Sequence, residues 1–437
     1  MGAGQGEALI MRIAVIGSGI AGLASAWWLS QRHEVVLFEA NDYLGGHTHT
    51  HTVEQAGREY RIDSGFIVFN PDHYPLLCGL FDELGVASQP TTMSFSVHSE
   101  RSGVEYNATS LDTLFCQRRN LASPRFWGML RDLARFYREA PALLEDDATG
   151  PTLGDWLQAG GYGDAFRDEH LVPMASALWS SPPQGILAFP ARYLVQFMAN
   201  HHMLTLGTRP PWRVVTGGSA TYVEALRRRW RVQERLSSPV LAVRRDADGV
   251  ELDTLRGGER FDQVVLACHS DDALRLMQDA DARERDILGA IRYQSNDTVL
   301  HTDARLLPQR RKAWAAWNAH VPRDPSAPCT VSYCMNLLQG VDSPEPFVVT
   351  LNRSHAIDPA RVLRRMHYRH PVYDHAMVAA QRRRQEIQGQ RRTWFAGAYW
   401  GWGFHEDGIR SARDVVDAIQ ALPVEAPAPA GVEPVGA

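Results

Sequence analysis

The sequence predicts an α/β protein in which a doubly wound parallel sheet is interrupted, along the chain, by an inserted α+β unit. Three observations carry that prediction. Residues 13–39 read as strand, Gly-rich loop, helix and strand; three short alternating strands lie between residues 239 and 268; and a Gly- and aromatic-rich run at 397–408 opens a helix.

Residues 1–10 read as a loose extension before Met11. The apolar strand Ile13 to Ile16 then runs straight into Gly17-Ser18-Gly19-Ile20-Ala21-Gly22 and the helical stretch Leu23 to Leu29. A second strand, Val35 to Phe38, delivers Glu39 and Ala40. In this Rossmann-like unit Gly17 makes the tight turn, Gly19 lets backbone N–H groups approach a pyrophosphate, and Gly22 allows the helix to pack on the strand. The helix that begins at Ile20 and Ala21 turns its partially positive end to the phosphates. Glu39 is placed to accept from a ribose diol, and a carboxylate there disfavours a 2′-phosphate. The glycine spacing and the acidic strand end also separate this stretch from a signal peptide.

Gly45-Gly46-His47 follows as a second backbone-permissive loop. Further on, Pro239–Arg245, Val250–Leu255 and Phe261–Cys268 alternate with Asp-Gly and Gly-Gly turns as a small β-meander. The closing run, from Gly397 through Tyr399, Trp400, Trp402, Gly403, Phe404 and His405 to Glu406-Asp407-Gly408, leads into a helix through Val415 to Ile419. Residues 11–90, 212–290 and 388–422 are therefore expected to form one discontinuous nucleotide-binding domain. Between them, Leu121–Leu144 and Ala165–Leu178 carry helical apolar spacing, and Asp297–His301, Thr330–Met335 and Pro346–Asn352 read as strands. Residues 91–211 and 291–387 are assigned to one substrate domain, and 423–437 to a disordered tail.

Composition narrows the function. With 44% hydrophobic residues the chain can bury a large core, and a net charge of -5 leaves no footprint for nucleic acid. Five scattered cysteines without a C-x-x-C pair suggest a reduced, cytoplasmic protein. No apolar run is long enough to read as a membrane span.

The continuation Glu39-Ala40 to Gly45-Gly46 resembles flavoproteins of the amine oxidase and phytoene desaturase group. The runs Gly45 to Thr50, Asp63-Ser64-Gly65-Phe66-Ile67-Val68-Phe69-Asn70, Trp212 to Ser219 and the closing Gly-Phe-His-Glu-Asp-Gly narrow the likeness to one bacterial family. That family is similar to the flavoprotein desaturase of bacterial furan-fatty-acid synthesis and to the N-terminal oxidase-like region of plant cyclopropane-fatty-acid synthases. The resemblance implies FAD, an amine oxidase-like two-domain fold, Val240 against the adenine, and backbone of the closing run against the ribityl chain and isoalloxazine. Gly65 and Phe66 fall in the shared motif. It also implies oxidation of a lipid acyl chain, a dehydrogenation next to a methyl-branched double bond, in an apolar tunnel that excludes water.

An amine oxidase is the alternative, and a flavoprotein subunit without turnover a third. The amine oxidases of this superfamily place a lysine on a strand corresponding to about Asn296–Leu300. Here the single lysine of the chain is Lys312, in an Arg-Arg-Lys run that reads as a solvated face. No cysteine lies near residues 390–405, so noncovalent FAD is expected. On a strand His47, His49 and His51 would project to one face about 6.6 Å apart. With no cysteine or acid nearby, no metal is expected. Tyr399 and Trp402 are candidate walls of the reaction site, and His301 a candidate base. Tyr333 and Asn336 are candidates to line the same cavity. The stretch 189–204, apolar around most of a helix near Arg192, Arg209 and Arg213, is either buried or a peripheral membrane contact.

Overall fold

The computed structural model describes residues 10–145, 149–204, 211–324 and 327–422; Arg209 and the tail 423–437 lie outside them. Its first sheet has five parallel strands in the order Val232–Arg235, Glu34–Phe38, Arg12–Ile16, Gln263–Leu266 and Thr393–Phe395. These strands read as unbroken apolar runs because both faces are covered. Alternate residues supply two cores. Ile13, Val15, Val35, Leu37 and Val265 face the helices Ile20–Leu29 and His405–Gln420. Ala14, Ile16, Val36, Phe38, Val264 and Leu266 face the antiparallel meander Val240–Arg245, Val250–Thr254 and Gly257–Phe261, where Phe38 meets Phe261 edge to face at 5.9 Å.

All ten residues of the helix Ile20–Leu29 are buried. Its closest partner is the last helix: a Cβ on Gly408 would lie 2.7 Å from Ile20 Cγ2, so the missing side chain lets the two helices touch near their N-termini.

The second sheet has seven strands, in the order Val362–Pro371, Tyr293–His301, Val348–Leu351, Thr330–Cys334, Trp317–Val321, Phe95–Ser99 and Glu105–Asn107. All neighbours are antiparallel except Trp317–Val321 beside Phe95–Ser99. The helix Val172–Trp179 docks on it through Tyr333, whose hydroxyl donates to the Ala177 carbonyl at 2.9 Å.

Differences from the sequence reading have local causes. The helix expected over Leu121–Leu144 spans only Pro124–Glu139, because Ser123 caps it by accepting from the Phe126 N–H and 3-10 turns flank it. His47 precedes the strand Thr50–Gln55, so the three histidines do not share one face: His49 and His51 lie 4.0 Å apart and His47 turns away to Tyr368 and His370. The helix Ala191–Asn200 places Ala191, Leu194, Val195, Phe197 and Met198 inside the protein, the buried of the two roles expected for this stretch. Among the described residues no helix is long and apolar enough to cross a membrane.

Candidate functional site

Between the two sheets lies a cavity of about 800 Å³, and its lining comes from both ends of the chain. At one end two glycine loops face each other. Gly17, at φ 98°, donates its N–H to the Phe38 carbonyl at 2.8 Å and holds the turn. Gly45 donates to the Ser18 carbonyl and hydroxyl, both at 3.1 Å. A Cβ on Gly46 would lie 3.1 Å from Gly19 Cα, whereas one on Gly19 would meet nothing within 4 Å and so would project into open cavity. Gly22 does not line the cavity; its Cβ would fall 1.9 Å from the Gly17 carbonyl oxygen, which fixes the helix hard against the loop.

Glu39 ends its strand at this notch. One carboxylate oxygen accepts from the Ser18 N–H (3.0 Å) and hydroxyl (2.6 Å), and the other from the Asn41 N–H (2.9 Å) and Nδ2 (2.8 Å). Ala40, Val240 and Leu241 line the same end.

The middle is built on the segment around Gly65, where a Cβ would meet the His47 carbonyl oxygen at 2.1 Å, and on Phe66, whose ring stacks on His405 at 3.6 Å. Gly397, Tyr399, Gly403, Phe404 and His405 complete the wall, so the N-termini of both long helices, at Gly19 and Phe404, open onto one space. His405 Nε2 lies 3.0 Å from Thr48 Oγ1, which also meets the Tyr222 hydroxyl at 2.5 Å. Burial pushes the His405 pKa down to about 3. Among the described residues, two buried lining atoms, His47 Nε2 and the Tyr399 hydroxyl, have no hydrogen-bond partner. Unpaired buried polar atoms are costly and point to a bound group. A glycine-floored notch, two converging helix N-termini and orphaned polar atoms fit a flavin dinucleotide.

Four expected site residues do other work. His301 is wholly buried inside the second sheet, its Nε2 2.8 Å from Thr350 Oγ1 and its Nδ1 accepting from the Asp303 N–H, so it braces the strand and cannot reach a substrate. The Trp402 ring lines a separate hollow of about 280 Å³ with Tyr193, while its carbonyl accepts from Trp179 Nε1. Glu406 accepts from the Leu76 and Leu77 N–H groups, both at 3.1 Å, and caps the helix Pro75–Leu84. Asp407 accepts from the Phe404 N–H at 3.0 Å. These carboxylates anchor the last helix and do not line the cavity. Tyr333 lines it, but Asn336 is spent on a loop, bonding Val341, Ser343 and the Phe347 N–H.

The strand Val362–Pro371 supplies lining residues that sequence reasoning missed. Its basic content hides the alternation of Met366, Tyr368 and His370 on one face, which was the available signal. The Tyr368 hydroxyl bonds Ser64 Oγ (2.7 Å) and His49 Nδ1 (3.1 Å). His370, His47 and His269 crowd together, with His47 5.1 Å from His370 and 6.3 Å from His269. Burial lowers the pKa of His47 and His269 to about 4 and of His370 to about 3, so this cluster is neutral at pH 7. On the strand where a lysine was sought, Asn296 stands instead, bonded to His370. Lys312 pairs with Asp112 at the surface. His269, Asp271 and Asp272 bring ligand-type atoms within 4.8 Å of one another, but Arg369 already pairs with both acids.

Deeper still, Asp63 and Ser219 explain two of the shared motifs. The Asp63 carboxylate accepts from the Ser219 N–H (2.9 Å), the Ser219 hydroxyl (2.8 Å) and Thr50 Oγ1 (2.6 Å), tying the segment before Gly65 to the helix Ala220–Arg227.

Comparison with known proteins agrees with this geometry. The CLA-producing fatty acid isomerase from P. acnes superposes with a TM-score of 0.64 at 18% identity, over 93% of this chain and 98% of that one. Cyclohexylamine oxidase from Brevibacterium oxydans IH-35A superposes with a TM-score of 0.64 at 17% identity, over 94% and 99%. These likenesses are of fold. The carotenoid phi-ring synthase of Chlorobaculum tepidum is 38% identical over 81 residues, which are 18% of this chain and only 12% of that protein. The family profile described as flavin containing amine oxidoreductase matches residues 20–301, well over half of the sequence. The chain therefore belongs to the flavin containing amine oxidoreductase family and is an FAD-dependent oxidoreductase.

Proposed function

We propose that this oxidoreductase holds FAD noncovalently and oxidises a lipid acyl chain, specifically a methyl-branched unsaturated fatty acyl group. The observation that carries the reading is the chamber beyond the ring-binding wall, lined by Met93, Phe95, Met174, Leu178, Met203 and Leu351. These side chains are apolar and suit an acyl chain. The charged lining groups Asp272, Arg275 and Arg369 pair with one another at the helix Ser270–Leu276, so they offer no free charge to a substrate.

When bound, the flavin supplies a two-electron acceptor for an activated C–H bond. The protein's part is to align the chain, exclude water and leave no competing nucleophile. Cys268, the one cysteine in the lining, has its thiol pushed up to about 12 by burial and stays protonated. The fold shared with a fatty acid isomerase supports an acyl substrate, and the surface position of Lys312 weighs against lysine-assisted amine oxidation.

Anaerobic titration tests the reading. Methyl-branched unsaturated phospholipid is expected to bleach the flavin absorbance of the purified holoenzyme, and simple amines to leave it unchanged. Bleaching by amines alone would replace this reading with amine oxidation.

A further inference from the structure

The protonation of His370 is decided by a relay that begins at the backbone. The Asp297 N–H can only donate, and it lies 3.0 Å from Asn352 Oδ1. Asn352 adopts a left-handed conformation, φ 58°, and returns its own N–H to the Asp297 carbonyl at 2.7 Å, so its amide is pinned. Its Nδ2 therefore donates to Asn296 Oδ1 at 2.7 Å. Asn296 Nδ2 in turn donates to His370 Nδ1, also at 2.7 Å. A neutral imidazole carries one proton, and with Nδ1 accepting, that proton sits on Nε2.

Strand register makes the relay possible. Asn296 pairs with Tyr368 across the ladder and Gln294 with His370, so Asn296 reaches its diagonal neighbour on the face that lines the cavity. Asn296 is 1% exposed, and His370 lines the cavity. Burial and the neighbouring His47 both disfavour the imidazolium.

We propose that His370 is a neutral hydrogen-bond donor, its Nε2–H held toward the cavity by the Asp297–Asn352–Asn296 relay, and that it serves an uncharged acceptor at the reaction centre. That acceptor is a carbonyl or ring nitrogen of the bound flavin or the carbonyl oxygen of an acyl substrate; only the second rests on the acyl reading given above. Such a donor stabilises negative charge as it develops and does not become a cation at neutral pH. Asn296 and Asn352 are positioning residues.

Nitrogen-15 NMR of histidine-labelled holoenzyme, with His370 assigned by its loss in His370→Gln, reads the tautomer directly. The wild type is expected to show neutral imidazole protonated on Nε2 at pH 7. In Asn296→Asp the new carboxylate can only accept, so Nδ1 becomes protonated; the exposed change Asn352→Ala should give mixed tautomers if Asn296→Asp does not fold. A shift of the flavin absorbance bands of substrate-free Asn296→Asp and His370→Gln identifies the flavin as acceptor. An unshifted spectrum with KM for the acyl substrate raised on the order of tenfold identifies the substrate carbonyl. Nδ1–H or imidazolium in the wild type overturns the proposal, and so do variants with wild-type spectrum and kinetics. Failure of the acyl reading leaves the NMR and spectral arms intact, so the two failures are told apart.

Discussion

Replacing Gly19 by alanine separates cofactor binding from folding. The residue has φ -63° and ψ 177°, which alanine adopts without strain. Its Cβ would meet no protein atom within 4 Å, so the apoprotein should be unharmed, and Gly→Ala at a permissive site stabilises by about 0.4–1 kcal/mol. The same methyl enters the notch proposed for the pyrophosphate. Overpacking there costs about 1–3 kcal/mol, which weakens FAD binding roughly 5- to 150-fold. Gly22→Ala is the contrasting control: its Cβ would lie 1.9 Å from the Gly17 carbonyl oxygen, where ordinary contact starts at 3.4 Å, so the helix must move by about 1.5 Å. That variant is expected to lose both apoprotein stability and flavin. Thermal unfolding of the apoproteins and fluorescence titration with FAD measure the two quantities. Wild-type FAD affinity in Gly19→Ala, or equal destabilisation of both apoproteins, would refute the placement of the pyrophosphate.

Acid should destabilise the protein between about pH 6.5 and 4. Burial holds His47, His51, His201, His269, His301 and His320 at about 4 and His370 and His405 at about 3, so the unfolded chain binds their protons first and their stabilisation is lost as pH falls. Asp63 and Asp407, raised to about 6, act with the opposite sign, but two carboxyls do not offset eight imidazoles. A melting temperature that rises from pH 6.5 to 5 would contradict this. Lys312→Met should change stability by less than about 0.5 kcal/mol and leave turnover intact; lost turnover would restore lysine chemistry. Met174→Trp, which narrows the apolar chamber, should keep full flavin content but raise KM for long acyl substrates more than for short ones, measured by steady-state kinetics. Trp179→Ala, at a side chain 4% exposed among Phe189, Phe197 and Tyr373, should cost about 3–5 kcal/mol in denaturant unfolding.

The nucleotide half of the site was legible because its chemistry depends on backbone: only glycine fits at Gly17, Gly45 and Gly46, and such constraints are written as residue identity. The substrate half depends on side chains that many sequences could supply. The strands Phe95–Ser99 and Glu105–Asn107 went unread because the first is placed by Trp317–Val321, more than two hundred residues later, and the second pairs with the first. His301 looked reactive as a lone histidine, and only the partner strand carrying Thr350 shows it to be a brace. Glu406 and Asp407 looked like ligands because acids at a helix start serve equally as anchors, and spacing alone does not separate the two roles.

Because the helix His405–Gln420 seats itself along Ile20–Leu29, with Gly408 against Ile20, the ribosome must pass residue 408 before a prosthetic group can be gripped. At about 5–20 residues per second, the earliest glycine loop waits roughly 20–80 s for its counterpart. During that interval the nascent helix Ile20–Leu29, buried along its whole length in the finished fold, lacks the partner that covers one of its sides, so flavin uptake must follow synthesis of the last helix and the half-made protein is a natural client for chaperones.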